Sequence, residues 1–288
     1  MSGFHPLDRA FNEERKVSMR QVTSLLVLII VVFCASAAAQ SSNSVAIVSG
    51  ANPNVGLTAD SLASVFGPQI STTTQSAAVA PWPTSLGDIP SVVVRDSAGN
   101  TMNAGILFVS PDQMNIWIPA GVAAGPATIS FPFTGLPPGQ GTAALRVNPV
   151  TIQKVAPGLF SANGAGSGVA AASAIRVLAG SQIVTPIPVF SCDAMDNCTA
   201  TAIALGVDTP IYLSLYGTGI RGASSLQNVS VTIGNVQVQP TYAGPQMATP
   251  GLDQLNVGIP LALRGSGLVN VTVTVDGVVS NPVQIRIQ

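Results

Sequence analysis

One block occurs twice in this chain. Ser110-Pro111-Asp112-Gln113-Met114-Asn115-Ile116-Trp117-Ile118-Pro119 returns as Gly251-Leu252-Asp253-Gln254-Leu255-Asn256-Val257-Gly258-Ile259-Pro260. A repeat at this scale restricts the chain to architectures that use one unit twice. The segments around the two blocks also correspond. Leu62–Gly67 matches Ile211–Gly217, and each ends in an aromatic residue followed by glycine. Ser91–Val94 matches Val229–Ile233, and each leads into a turn that carries Gly and Asn, as hairpins require. Ala127–Phe131 matches Val269–Val275, and Leu145–Val147 matches Ile285–Ile287. The segments alternate with period two, which puts Val65 and Leu215 on the face opposite Ser64 and Ser214. In both blocks Ile-Pro ends the ladder, because proline removes a donor.

Short alternating strands at this spacing predict an all-β protein of two tandem immunoglobulin-like β-sandwich domains. The repeats are assigned to residues 56–149 and 207–288. Residues 40–55 form an N-terminal extension. A connector, 150–206, holds a hairpin turning at Gly180-Ser181 and a cysteine loop. The copies differ in two places: the Ser/Thr/Ala/Pro-rich loop Ser71–Thr84, and the connector.

The first 39 residues read as an address. Arg15, Lys16 and Arg20 precede the apolar run Leu25–Cys34, and Ala37-Ala38-Ala39 offers a cleavage site. Met19 is an alternative start. The apolar core is short beside the roughly 20 residues of a membrane span, so cleavage is preferred to an uncleaved anchor. Bulky Phe33 argues against a lipid anchor on Cys34. The expectation is a secreted or cell-surface protein whose only membrane contact is through the signal segment; a periplasmic or anchored protein is the alternative.

Composition then limits chemistry. The single histidine, His5, lies inside the signal. From Gln40 onward there is no His and no Glu, and Lys154 is the sole lysine. That excludes Ser-His-Asp and Cys-His catalysis and His-built zinc sites. The few arginines are scattered and form no basic patch, which argues against nucleic-acid binding. No cofactor and no metal site is expected, and the chain is read as no enzyme. The carboxylate pairs open to an aspartate enzyme, Asp88/Asp96 and Asp193/Asp196, have no spacing that recommends them.

The remaining candidates are few. Asp112, Gln113 and Asn115, with Asp253, Gln254 and Asn256, are read as a structural motif that caps the turn before a strand rather than as paired ligand sites. Cys192 and Cys198 are expected to form a disulfide across a short loop. Asp193, Asp196 and Asn197 in that loop are too few oxygens for calcium. Among Trp82, Trp117, Tyr212, Tyr216 and Tyr242, Trp82 in the long loop is the candidate ligand contact, while Trp117 and Tyr216 read as core.

The Ser110–Pro119 block, Ala156-Pro157-Gly158-Leu159-Phe160 and Leu215-Tyr216-Gly217-Thr218-Gly219-Ile220-Arg221 together resemble a secreted acidobacterial family, the Solibacter-type uncharacterised C-terminal domain. The resemblance runs from about Val55 to Gln288. Each repeat more loosely resembles the IPT/TIG immunoglobulin-like domain. The resemblance implies an extracellular bacterial protein and assigns no catalytic residue. The function expected is a non-catalytic binding or adhesion module for an extracellular protein or glycan. A structural or spacer subunit of an extracellular assembly is the alternative.

Overall fold

The computed structural model describes residues 45–132, 145–178, 180–181 and 183–288. The proposed signal segment 1–39 and the alternative start Met19 lie outside the described residues.

The described chain is almost entirely β. Its first half contains β1 (Ala46–Ser49), β2 (Leu57–Thr58), β3 (Ser61–Phe66), β4 (Gln75–Ser76) and β5 (Val93–Arg95). It continues with β6 (Thr101–Asn103), β7 (Gly105–Val109), β8 (Gln113–Ile118), β9 (Gly125–Pro132) and β10 (Leu145–Gln153). Two sheets form, ordered β1-β3-β8-β7-β4 and β2-β10-β9-β5-β6. The alternation seen in sequence turns one side chain in two inward. Val65, Met114, Ile116 and Ile118 from the first sheet meet Val94, Ile129, Phe131 and Ile152 from the second in one buried core.

The second half contains β11 (Gly158–Leu159), β12 (Ala172–Val177), β13 (Val184–Ile187), β14 (Phe190–Cys192) and β15 (Cys198–Ala200). Then come β16 (Ala202–Ile203), β17 (Ile211–Thr218), β18 (Val229–Ile233), β19 (Val236–Val238) and β20 (Tyr242–Pro245). β21 (Asp253–Gly258), β22 (Gly267–Val275), β23 (Val278–Val279) and β24 (Val283–Ile287) complete it. Its sheets run β13-β12-β17-β21-β20 and β16-β24-β22-β18-β19. Leu213, Leu215, Leu255 and Val257 face Val231, Val273, Val283 and Ile285 across the second core. The β18–β22 ladder pairs Val229 with Val275, Val231 with Val273 and Ile233 with Val271. β-Branched residues opposite one another pack well on a pleated surface.

The two pairs of sheets share a strand order. β3 and β17 lie between β1 or β12 and the Asp-Gln-x-Asn strand, β8 or β21. In both halves a two-residue strand, β2 or β16, runs parallel to the last strand, β10 or β24.

The connector is not a separate body. Its hairpin, β12 and β13, pairs Val177 with Val184 and joins the sheet through β17. β11 also pairs with β17, and β16 with β24. The N-terminal extension likewise contributes β1 to the first sheet. Both segments that differ between the copies therefore add a strand to a sheet margin. The Ser71–Thr84 loop supplies β4, which covers β7. The connector supplies β13, which covers β12.

Phe131 is fully buried and is the largest such side chain in the described residues. Truncating it leaves a cavity between two sheets that cannot close over it. Phe131→Ala is expected to cost about 3–5 kcal/mol, read as a lowered denaturant midpoint with unchanged slope. A loss under about 1 kcal/mol would mean that the first core collapses around the gap.

Candidate functional site

The most concentrated set of charged and aromatic groups lies where the two sandwiches meet. Arg221 stands in the loop after β17, Asp253 opens β21, and Asp60 occupies the tight turn between β2 and β3 with φ of 51°. Arg221 Nε donates to Asp253 Oδ1 at 2.6 Å, and Nη1 donates to Asp60 Oδ2 at 2.5 Å. Nη2 donates to the Leu252 carbonyl at 2.6 Å. The guanidinium thus uses its planar fork in several directions at once, which a lysine could not do. Asp253 is fully buried and also accepts the backbone N–H groups of Ile220, at 2.7 Å, and Arg221, at 3.2 Å.

Neutral groups cross the same boundary. Trp82 Nε1 donates to the Pro250 carbonyl at 3.2 Å, while within the first half Trp117 Nε1 donates to Asp60 Oδ1 at 2.7 Å and holds the carboxylate that Arg221 engages. Thr218 Oγ1 accepts the Leu62 N–H at 2.9 Å and donates to the Gly251 carbonyl at 2.8 Å. Leu62, Leu107, Phe160, Tyr216 and Leu252 form a third apolar cluster, with both tryptophans packed on it. Gly251 has φ of 84°, and a Cβ there would lie 2.8 Å from Trp117 Cδ1 and 2.9 Å from Leu62 Cδ2. Glycine is needed at that position for both conformation and close approach.

Burial pushes the Asp253 carboxyl above the usual range, opposed by the Arg221 charge and by the hydrogen bonds it accepts. Arg221 and the backbone donors keep a carboxylate tolerable where water is absent. The equivalent residue in the first copy, Asp112, is exposed, and its carboxylate accepts the Ser110 hydroxyl at 2.9 Å. The two aspartates of the repeated motif therefore do different work. The Gln and Asn of the motif keep one arrangement. Gln113 Nε2 donates to Asn115 Oδ1 at 3.1 Å, and Gln254 Nε2 donates to Asn256 Oδ1 at 2.8 Å. Each Asn lies opposite a serine of the neighbouring strand, Ser64 or Ser214.

Trp82, singled out as a ligand contact, is half-buried, with its indole engaged at the junction. Trp117 and Tyr216 belong to the same cluster. Tyr212 and Tyr242 are half-buried on the second sheet, and the Tyr242 hydroxyl donates to the Pro245 carbonyl at 2.6 Å. Cys192 and Cys198 form a disulfide that closes the β14–β15 hairpin.

Four other aspartates staple turns. Asp88 accepts the Ser71 hydroxyl, and also the Thr72 N–H at 2.8 Å. Asp96 accepts the N–H groups of Ala98, Asn100 and Ala123 at 2.9–3.0 Å. Asp193 accepts those of Met195 and Asn197 at 2.9 Å. Asp276 accepts the Ser224 N–H at 3.0 Å. Hydrogen bonds hold Asp96, Asp193 and Asp276 below the ordinary carboxylate range: from the Ala123 N–H first, from Asn197, and from the Ser224 hydroxyl, respectively. Among the described residues no group of three or more His, Cys, Asp or Glu is placed to hold a metal ion. An open depression of ≈ 480 Å³ lies between Lys154 and the loops that carry Ser224, Asn228 and Asp276.

Asp60 and Arg221 were not singled out in the sequence as a pair. Their link spans 161 positions. The available signal is scarcity: in so lightly charged a chain, an arginine closing the glycine-containing block Leu215–Arg221 needs a reason.

No family model matches the chain, and no curated protein matches it. One solved structure, of a Bacteroides vulgatus protein provisionally described as DNA binding, aligns at 16% identity with a TM-score of 0.26. The alignment covers 35% of this chain and 41% of that one.

Removing the guanidinium strands a buried carboxylate. Arg221→Met is expected to destabilise the protein by about 3–5 kcal/mol and to change the fluorescence of both tryptophans. An unchanged melting temperature with unchanged emission would refute the junction's role. The lowered carboxyls make a separate prediction. Their contribution is complete above pH 3.8 and is lost as pH falls through their folded values. Asp253 has the opposite sign, gaining stability as pH falls through its raised value towards 3.8. Thermal melts between neutral pH and pH 3 should fall steeply only in the acid limb. Asp96→Asn should lower the neutral melting temperature and flatten that limb.

Proposed function

We propose that this protein is a secreted or cell-surface, non-catalytic binding or adhesion module built from two immunoglobulin-like β-sandwiches. The observation that carries the reading is the use made of its carboxylates. Asp60, Asp88, Asp96, Asp193, Asp253 and Asp276 each hold a turn or the junction between the halves. In Asp96, Asp193 and Asp276 hydrogen bonds lower the proton affinity, which makes a poor general acid at neutral pH, and Asp253 is sealed from solvent beneath Arg221. The chemistry left is recognition, through loops and sheet faces rich in Ser, Thr, Asn and Gln. An extracellular protein or glycan fits that surface better than a nucleic acid, since no basic patch is available to neutralise phosphates.

The disulfide fits an oxidising compartment. Shared strand order between the halves supports duplication of one unit. Membership of the secreted acidobacterial family, and kinship with IPT/TIG domains, remain part of the proposal and rest on the sequence blocks. A second reading, a spacer or structural subunit of an extracellular assembly, is favoured by the junction. A chain that ties its two sandwiches with an arginine fork and the Trp82 indole is built to hold a fixed spacing.

Arrays of glycans and extracellular proteins probed with the secreted chain test the first reading. Saturable binding without consumption of the ligand is the expected result. Hydrolysis of any bound glycan that is abolished by Asp88→Asn or Asp196→Asn would overturn it. Absence of binding on every array would leave the spacer reading favoured.

A further inference from the structure

β17 and β21 are interior strands of their sheet, and alternation sends their residues to its two faces. Leu213, Leu215, Leu255 and Val257 fill the second core. Tyr212, Ser214, Tyr216, Gln254, Asn256 and Gly258 therefore take the outer face. Tyr242 of β20 lies opposite Asn256, and Ser173 of β12 lies opposite Ser214, which extends this face to both sides.

Two amides stand at its centre. Asn256 is 6% exposed and Gln254 8%. Asn256 Oδ1 accepts two hydrogen bonds, from Ser214 Oγ at 2.9 Å and from Gln254 Nε2 at 2.8 Å. Among the described residues no hydrogen bond uses Asn256 Nδ2 or Gln254 Oε1. A donor and an acceptor left over at so dry a place are costly unless something else engages them. Three tyrosines surround the pair. The Tyr212 ring lies over Gly258, with Cε1 3.7 Å from where a Cβ would stand. Tyr242 lies beside Gly244, its hydroxyl held by the Pro245 carbonyl. Tyr216 leans the other way, its hydroxyl 3.3 Å from Ser173 Oγ. The first copy differs here: Leu62 pairs with Trp117 where the second copy pairs Tyr212 with Gly258. The Trp117 indole is committed to Asp60 and the junction. Gly258 leaves the corresponding place beside the Gln-x-Asn pair without a side chain.

We infer that the outer face around Asn256 and Gln254 is a binding site for a neutral glycan. The inference rests on the reading of this chain as a binding module, and gives that module a site and a ligand class. β17 and β21 are paired along both edges, so they offer no backbone ladder to a peptide strand, and recognition here is by side chains. A sugar ring matches what they present. Its C–H faces stack on the Tyr212 and Tyr242 rings, which supply apolar area with a polar tip. Its hydroxyls both donate and accept, so one can donate to Gln254 Oε1 while its neighbour accepts from Asn256 Nδ2. None of the side chains on this part of the face is charged. Nothing there selects an acidic sugar, and binding should not respond to salt.

Calorimetry with soluble neutral oligosaccharides of glucose, xylose, mannose and galactose tests the site. Saturable binding of at least one of them, equal at low and high salt, is the expected result. Tyr212→Ala should weaken it about fivefold or more, while Tyr212→Phe, which keeps the ring, should bind as the parent does. Gly258→Trp places the first copy's residue in the site and should abolish binding. A Cβ at Gly258 meets only ordinary contacts, so this variant should keep the parent melting temperature; if it does not, the two Tyr212 variants decide. Parent affinity in both Tyr212→Ala and Gly258→Trp would overturn the site and leave the reading as a binding module standing. So would capture of proteins, or of acidic saccharides alone, which would overturn the ligand class. A chain that binds none of these neutral sugars has no such site.

Discussion

The Arg221 guanidinium, held between a carboxylate of its own sandwich and one of the other, is the constraint on which the arrangement of the two halves depends. Buried ion pairs return little net stability, because desolvation offsets most of the attraction. Their strength is directional. A planar fork with fixed donor angles tolerates few relative orientations of the groups it joins. The apolar cluster of Leu62, Phe160, Tyr216 and Leu252 supplies the non-directional attraction, the indole N–H of Trp82 adds one more fixed point across the halves, and that of Trp117 holds Asp60 in place to meet Arg221. Aromatic side chains that might have been displayed to a ligand are used to join the halves.

The same economy governs the segments in which the copies differ. The Ser71–Thr84 loop and the connector invited a functional reading because they break the repeat. Their strands β4 and β13 instead cover sheet margins. An open edge is a liability for a nearly uncharged chain, which has little repulsion to keep copies apart.

Much of the strand plan was legible from period-two alternation and turn residues. Leu62–Gly67, Val229–Ile233, Val269–Val275 and the Asp-Gln-x-Asn segments all lie in or against strands at the expected places. The cysteine pair was legible because Cys192 and Cys198 are the two cysteines after residue 40 and lie six positions apart. The connector was harder. Its hairpin was visible, but not that β12 and β13 extend the sheet of the second repeat, because alternation does not name the neighbouring strand. Trp82 was misleading for a related reason. A tryptophan between prolines in a polar loop looks exposed until another part of the chain, Pro250, is brought against it.

The amino-acid sequence by itself determined the all-β class, the strand positions and the poverty of catalytic groups. Each of these follows from local periodicity or from the presence or absence of side-chain types. Tertiary structure alone decided that Asp253 is a buried anchor while Asp112, its equal in the motif, is a solvated turn residue. It also decided that Asp60 and Arg221 meet across 161 positions. Such pairings are set by where closed sheets place their loops. No local pattern records that, since the same motif serves equally well at a junction and at a free surface.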